Sequence, residues 1–304
     1  MEKKIIILGI SFLVFFLAIS LVSAGFSDWF KARITGYSAT NTTTLNITVG
    51  TNPVITNVSV IPAKSVTENS VTYVKFNFTA RDTDGAGTIN VTSATAKFNR
   101  SGEGSRANSS CVFNEAIDST SSIFNCTVQL WYFDGAGDWG INVTIKDNSS
   151  NRAENATTGF TLSESTCMIM SPLALTWPSL GVTDVDTLSN NDPITLNNTC
   201  NDDIASGAVT VKAYNLRGEV TTTDMIRAGN FTTHTSDACT SGTQMVNGTA
   251  TGVTGSILAG GNHSTNIGST GQEQLYFCLE ELNTSISPQS YSSELEGAWV
   301  VAIS

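Results

Sequence analysis

Between Leu45 and Ser163 apolar and polar residues alternate with period two, the signature of strands with one buried and one wet face. The runs "TNVSVIP", "TYVKFNFTARD", "TINVTSATAKFN", "FNCTVQLWYFD", "WGINVTIKD" and "TTGFTLS" are predicted strands. Gly-, Asp- and Asn-rich clusters separate them: "RDTDGAG", "NRSGEGSRANSS", "DGAGDWG" and "DNSSNRAEN". Six or seven short strands without a helix predict an antiparallel β-sandwich of the immunoglobulin type over residues 43–164. From Cys167 onward "LALTW", "PITLNNT", "AVTVKAYNL", "EQLYFCLEE" and "AWVVAIS" continue the idiom, with "GTATGVTGSILAGGNHSTNIGSTG" as a long loop. A second, jelly-roll-like β-sandwich is expected over 165–304. The chain as a whole is expected to be all-β.

The first 24 residues have another pattern. "MEKK" is basic, "IIILGISFLVFFLAISLV" is apolar, and "VSA" ends at Ala24, the layout of a secretory signal peptide. The 18 residues from Ile5 to Val22 just reach spanning length, so an uncleaved anchor is the alternative, and the membrane would be met only there. Residues 25–42 read as a tether, with Phe26, Trp29, Phe30 and Ile34 at helical spacing.

Within the alternation one phrase recurs: "LNITV" (45–49), "FNFTA" (76–80), "INVTS" (89–93), "FNCTV" (124–128) and "INVTI" (141–145). Asn is depleted in strands, so its repeated placement needs a reason. In "FNFTA" the alternation turns Phe76, Phe78 and Ala80 inward and Asn77 and Thr79 outward. Asn-x-Thr is also the acceptor sequon for N-glycosylation, so one pattern builds an amphipathic strand and sets an acceptor on its wet face. The chain holds 16 sequons, at Asn41, Asn46, Asn57, Asn77, Asn90, Asn99, Asn108, Asn125, Asn142, Asn148, Asn155, Asn197, Asn230, Asn247, Asn262 and Asn283. A Thr- and Asn-rich β protein makes one or two by chance; 16, five of them in one strand frame, point to selection for glycans. Asn125 is set apart because its middle residue, Cys126, is expected in a buried disulfide.

Charged residues are 13% of the chain and the net charge is −11, which argues against nucleic acid and anionic lipid as partners. So low a charge density leaves surface hydration to Thr, Ser, Asn and attached sugars. Six cysteines, Cys111, Cys126, Cys167, Cys200, Cys239 and Cys278, without CxxC or HxxxH spacing, read as three disulfides of an exported chain. Cys111 and Cys126 enclose 14 residues, and a bridge there is worth roughly 3 kcal/mol. The other four allow three connectivities.

Other chemistry is sparse. "DTDG" (Asp82, Asp84), with Asp134, Asp138 and Asp147, could hold calcium if loops converge, although Asp-Gly is more often a turn. His234 and His263 each sit in a Thr/Ser-rich stretch, and no GxSxG, HExxH or P-loop occurs, so no catalytic residue is assigned and no enzyme is expected. The run "WYF" (Trp131, Tyr132, Phe133) could stack on a sugar. Strand alternation would instead send two of its rings to the core.

The stretch "CVFNEAIDSTSSIFNCTVQLWYFDGAGDWGINVTIKDNSSN" resembles the immunoglobulin-like modules of secreted archaeal surface proteins. In those modules the second Cys precedes an aromatic strand, and a Gly-rich turn leads to a Trp and a strand ending in D-x-x-x-N. The second half, anchored by Cys278 and Trp299 as the first is by Trp131 and Trp139, is similar to a companion β module of such proteins. There the segment "NNTCN" more usually carries Gly in place of Cys200, which implies that Cys167 and Cys200 are an added pair and leaves Cys239 to Cys278. A fainter similarity is to camelysin-type fibre subunits, which polymerise by lending a strand. The resemblance implies a structural, assembling component of a cell surface, paired with itself or with other surface proteins, and supplies no catalytic residues or cofactor. The "AWVVAIS" edge or "LNITVG" would do the pairing. The alternative is a monomeric adhesin binding sugars or a partner cell.

Overall fold

The computed structural model describes residues 50–108, 111–260, 271–282 and 285–304. The predicted signal peptide, the tether and "LNITV" lie outside them. The structure is all-β, 51% strand and 2% helix, with several mainly antiparallel sheets.

Nine strands fill the first half: β1 (Val54–Val58), β2 (Lys64–Ser65), β3 (Val71–Arg81), β4 (Ile89–Asn99), β5 (Arg106–Asn108), β6 (Val112–Ala116), β7 (Ser121–Trp131), β8 (Gly137–Asp147) and β9 (Arg152–Ser163). One sheet runs β1-β3-β7-β6 and the other β2-β9-β8-β4-β5. The short β2 lies parallel to β9, an exception to the antiparallel expectation. Strands β3 and β7 pair without a slip from Val71↔Trp131 to Arg81↔Ser121. Alternation then sends Val74, Phe76, Phe78 and Ala80 into the core with Phe124, Val128 and Leu130. The facing sheet contributes Phe98, Trp139, Ile141, Val143, Ile145, Phe160 and Leu162. Ring contacts tie the layers, Phe76 to Phe98 at 5.7 Å and Phe98 to Phe160 at 4.9 Å. Trp139 is fully buried and still satisfies its indole N–H on the Gly135 carbonyl at 3.0 Å. One repeat leaves the expected frame: β4 shifts register against β8 between Asn90 and Thr95, and Val91 of "INVTS" becomes 40% exposed.

The second half holds β10 (Met168–Ser171), β11 (Val185–Leu188), β12 (Ile194–Asn198), β13 (Val209–Lys212), β14 (Leu216–Gly218), β15 (Met225–Ile226), β16 (Phe231–His234), β17 (Thr243–Gln244), β18 (Ala250–Gly252), β19 (Gln272–Glu281), β20 (Tyr291–Ser292) and β21 (Val300–Ile303). The main sheet runs β10-β12-β19-β16-β17, with β11 also on β19, and two small sheets, β18-β13-β21 and β15-β14-β20, complete it. Leu196, Val209, Val211, Phe231, Met245, Leu275 and Phe277 form its core. Trp177 and Trp299 pack on Phe231 at 5.3 and 5.2 Å.

The expected strand "LALTW" is not one. Pro172 and Pro178 bracket it and offer no N–H, and its backbone bonds go to side and main chain of the facing loop: Asn191 Oδ1 accepts from Thr176 N–H at 3.0 Å, and Thr176 C=O accepts from Asn190 N–H at 2.7 Å. "AVTVKAYNL" divides into β13 and the start of β14. The expected long loop is partly structured: β18 lies within it, and Val253 and Leu258 are core residues.

Disulfides join Cys111–Cys126, Cys167–Cys200 and Cys239–Cys278, and three such bonds suit an oxidising, extracellular-type environment. Cys200 packs in the first core although it follows β12. Around it Asn201 Nδ2 donates to the carbonyls of Asp134 (3.0 Å) and Ser163 (3.1 Å), and Thr199 donates to Glu68 at 2.9 Å. "NTCN" is thus a buried, fully bonded plug that ties the second half onto the first.

Candidate functional site

The feature repeated most often is the outward asparagine. Asn41, Asn46, Asn262 and Asn283 lie outside the described residues, leaving 16 − 4 = 12 sequon asparagines, and none of the 12 is buried. Asn57, Asn77 and Asn125 stand on β1, β3 and β7 of the first sheet. Asn90, Asn99, Asn108, Asn142 and Asn155 stand on β4, β5, β8 and β9 of the second, and Asn148 is in the β8–β9 turn. Asn197, Asn230 and Asn247 belong to the second half. Asn90 and Asn155, both half-buried, each accept the hydroxyl of their own sequon threonine on Oδ1, at 2.8 and 2.9 Å. In contrast, the sequon residues Thr199 and Thr232 after Asn197 and Asn230 are buried.

Sequons cover faces more than edges. In the first half, edge strands β1 and β5 carry Asn57 and Asn108, while edge strand β6 and the two-residue edge strand β2 carry none. All five residues of β6 are exposed, and beside Asn114 and Glu115 the strip shows large apolar side chains: Val112 is 67% exposed, Phe113 39%, and Ile117 just beyond it 51%. Phe113 reaches only the rim of the core, edge-on to Phe124 at 5.9 Å. A second edge is β21, paired to β13 on one side and flanked by no other strand in that sheet among the described residues. The stretch "CVFNEAI" could have signalled β6 in advance, because Val112, Phe113 and Ile117 make it an apolar run and it holds no sequon.

The acidic candidates are occupied by protein donors. Asp82 accepts from Thr88 Oγ1 (2.8 Å) and Asp84 N–H (3.0 Å), and Asp84 accepts from Thr51. Asp138 is exposed and takes the Thr161 hydroxyl at 2.7 Å. Asp147 binds Asn151 through both backbone and side chain at 2.8 Å, so the D-x-x-x-N pattern is a latch on the β8–β9 turn. Asp134 is fully buried, receives Arg106 through its guanidinium, with Nε 2.9 Å from both oxygens, and accepts Trp131 N–H at 2.8 Å. Sequence reasoning missed Arg106, because a pair 28 residues apart, with Arg106 in a stretch expected to be a loop and found to open β5, carries no local signal. Among the described residues, the one group of three or more His, Cys, Asp or Glu donor atoms within 4.8 Å is Asp186, Cys239 and Cys278, and those sulfurs are bonded to each other.

The Thr-rich stretch around His234 is the buried strand β16, and the His234 Nε2 lies 2.9 Å from Thr232 Oγ1. Burial pushes its pKa below the ordinary value, partly offset by Glu280. His263 lies outside the described residues. The "WYF" alternation stops early, because β7 ends at Trp131; only Phe133 is buried, and Trp131 and Tyr132 remain half-exposed against it. An open cleft of about 420 Å³, lined by Met225, Arg227, Gln244, Met245 and Asn247, lies on the second half and was not foreseen. Compared with protein-family models and with curated proteins, the chain matches none.

Proposed function

We propose that this protein is an exported, N-glycosylated structural component of a cell surface, assembling with further copies through strand edges that its sequons leave bare. Residues 1–24 direct export, the first sandwich is of the immunoglobulin type, and the glycans form the hydrating layer that a 13% charged chain lacks. The observation that carries the reading is the division between faces and edges. Acceptor asparagines stand exposed on the first sheet (Asn57, Asn77, Asn125) and half-buried on the strands of the second, while β6, which carries Val112 and Phe113 beside Asn114 and Glu115, is exposed and free of them. An edge row of backbone N–H and C=O groups beside apolar side chains is a template for another strand, and β6 is blunted only in part, by a bulge between Phe113 and Glu115 and by the Glu115 charge, with no Lys or Pro in it. The C-terminal strand β21 offers a second edge of the same kind, so one copy could carry two contacts and extend a fibre or sheet.

The test is electron microscopy, with sedimentation, of the mature protein taken from native surface material. Filaments or lattices are expected. Dispersed particles that remain monomeric at high concentration would sink the assembly reading and favour the monomeric adhesin.

A further inference from the structure

Two of the acceptor asparagines compete for one space. Strands β3 and β7 pair in strict register, and Asn77 stands directly opposite Asn125, both on the outer face and both exposed. Directly opposed residues of an antiparallel pair hold their Cβ atoms about 4.5–5.5 Å apart and point the same way. A hexose with its hydroxyls is broader than that gap, and each sugar would rise from its asparagine along the same normal to the sheet. On the same sheet Val112 of β6 stands opposite Asn125, Asn57 of β1 stands opposite Thr79 beside Asn77, and Ser59 Oγ accepts the Asn77 N–H at 3.0 Å.

The two sites are also unequal. Cys126, the middle residue of the Asn125 sequon, is buried and bonded to Cys111, so the acceptor segment is stapled into the β6–β7 hairpin. The Asn125 carboxamide nitrogen donates to Asn114 Oδ1 at 3.2 Å. The Asn77 carboxamide makes no hydrogen bond among the described residues, and Asn77 is synthesised first. From this geometry we infer that Asn77 carries a glycan and that its presence excludes one from Asn125, an inference that rests on the glycoprotein reading above. The donor would be a polyprenyl-phosphate-linked sugar and the catalyst an export-side transferase. The carboxamide nitrogen forms a bond to the sugar's anomeric carbon, the carbon–oxygen bond to the phosphate breaks with its electron pair leaving on the phosphate, and the nitrogen's proton passes to a transferase base. An unmodified Asn125 keeps the strip between β7 and the bare edge β6 open.

The experiment is site-resolved glycopeptide mass spectrometry on the full chain from a glycosylating host, with each site's occupied fraction measured. The expected result is a high fraction at Asn77, a low one at Asn125, and a sum no greater than one. In Asn77→Gln, and in Thr79→Val, which removes the sequon but keeps Asn77, occupancy at Asn125 should rise severalfold. Fractions summing above one would overturn the inference, as would an Asn125 that stays unmodified in both variants. Modification at Asn148 or Asn247 with none at Asn77 would overturn it while leaving the glycoprotein reading intact; a chain bare at every sequon would remove both.

Discussion

Arg106 and Asp134 show how much one pair can decide. The carboxylate is fully buried and the guanidinium nearly so, with the Arg106 side chain 16% exposed and lying over the Phe133 ring at 5.9 Å. Removing one member strands the other charge without solvent, which costs about 3–5 kcal/mol. Arg106→Met is therefore expected to lower unfolding free energy by about that amount in a urea titration, whereas Arg106→Met with Asp134→Leu should recover part of it. His234 gives a pH dependence of definite sign. Its folded pKa lies below the unfolded value of 6.5, so below that pH the unfolded chain binds more protons than the folded one. Stability contributed by the neutral ring is present above 6.5 and is lost as pH falls from there through the folded value. The urea midpoint should thus drop between about pH 7.5 and pH 5.5, and the drop should shrink in His234→Asn. Neither residue's role was legible beforehand: an Arg in a loop and a His among threonines look solvated until the chain is folded around them.

At the level of elements, β3, β7 and β8 were legible, β9 was read only from Thr157 because its start lies in the Asn-rich cluster "DNSSNRAEN", and of the short strands β12, β13 and β21 were legible and β2, β5 and β6 were not. Strands β3, β7 and β8 each run for 11 residues, long enough for period-two alternation to be unmistakable. In the second half the paired stretches are mostly two to five residues, within which alternation and chance cannot be told apart. Close approach is a tertiary matter too. At Gly252 a Cβ would lie 2.6 Å from the Gly207 carbonyl oxygen, backbone against backbone, so Gly252→Ala should cost about 1–3 kcal/mol by thermal or urea unfolding. The β6 edge carries the functional prediction at this scale. Val112→Lys with Ile117→Lys changes exposed residues, so folding should be affected by no more than about 0.5 kcal/mol, while assembly by sedimentation should fall at least severalfold if β6 is the contact.

For the whole molecule the balance is between a sparse charge and a large apolar content. With 13% charged and 40% hydrophobic residues, the unmodified surface has little to keep copies apart. If the sequons carry glycans as proposed, their enzymatic removal is expected to lower the concentration at which the protein precipitates severalfold, read by light scattering, with the fold unchanged by circular dichroism. The two halves are joined by more than a linker: Cys200, Asn201 and Thr199 sit against the first core, so breaking Cys167–Cys200 should loosen the plug as well as open a loop.

By itself the sequence determined the all-β class, the inward and outward faces of β3, β7 and β8 and the position of every acceptor asparagine, because these follow from period two and from a three-residue spacing, both local; the register shift in β4 was not among them. The disulfide partners of the second half were open on spacing alone and rested on resemblance until the structure joined them. Only the tertiary structure decided which strands became edges, that Asn77 stands opposite Asn125, that Arg106 meets Asp134, and that "NTCN" closes the first core rather than the second. Each of these depends on register or packing between segments far apart in the chain, where one residue of slip exchanges the buried face for the wet one and no local pattern records the choice.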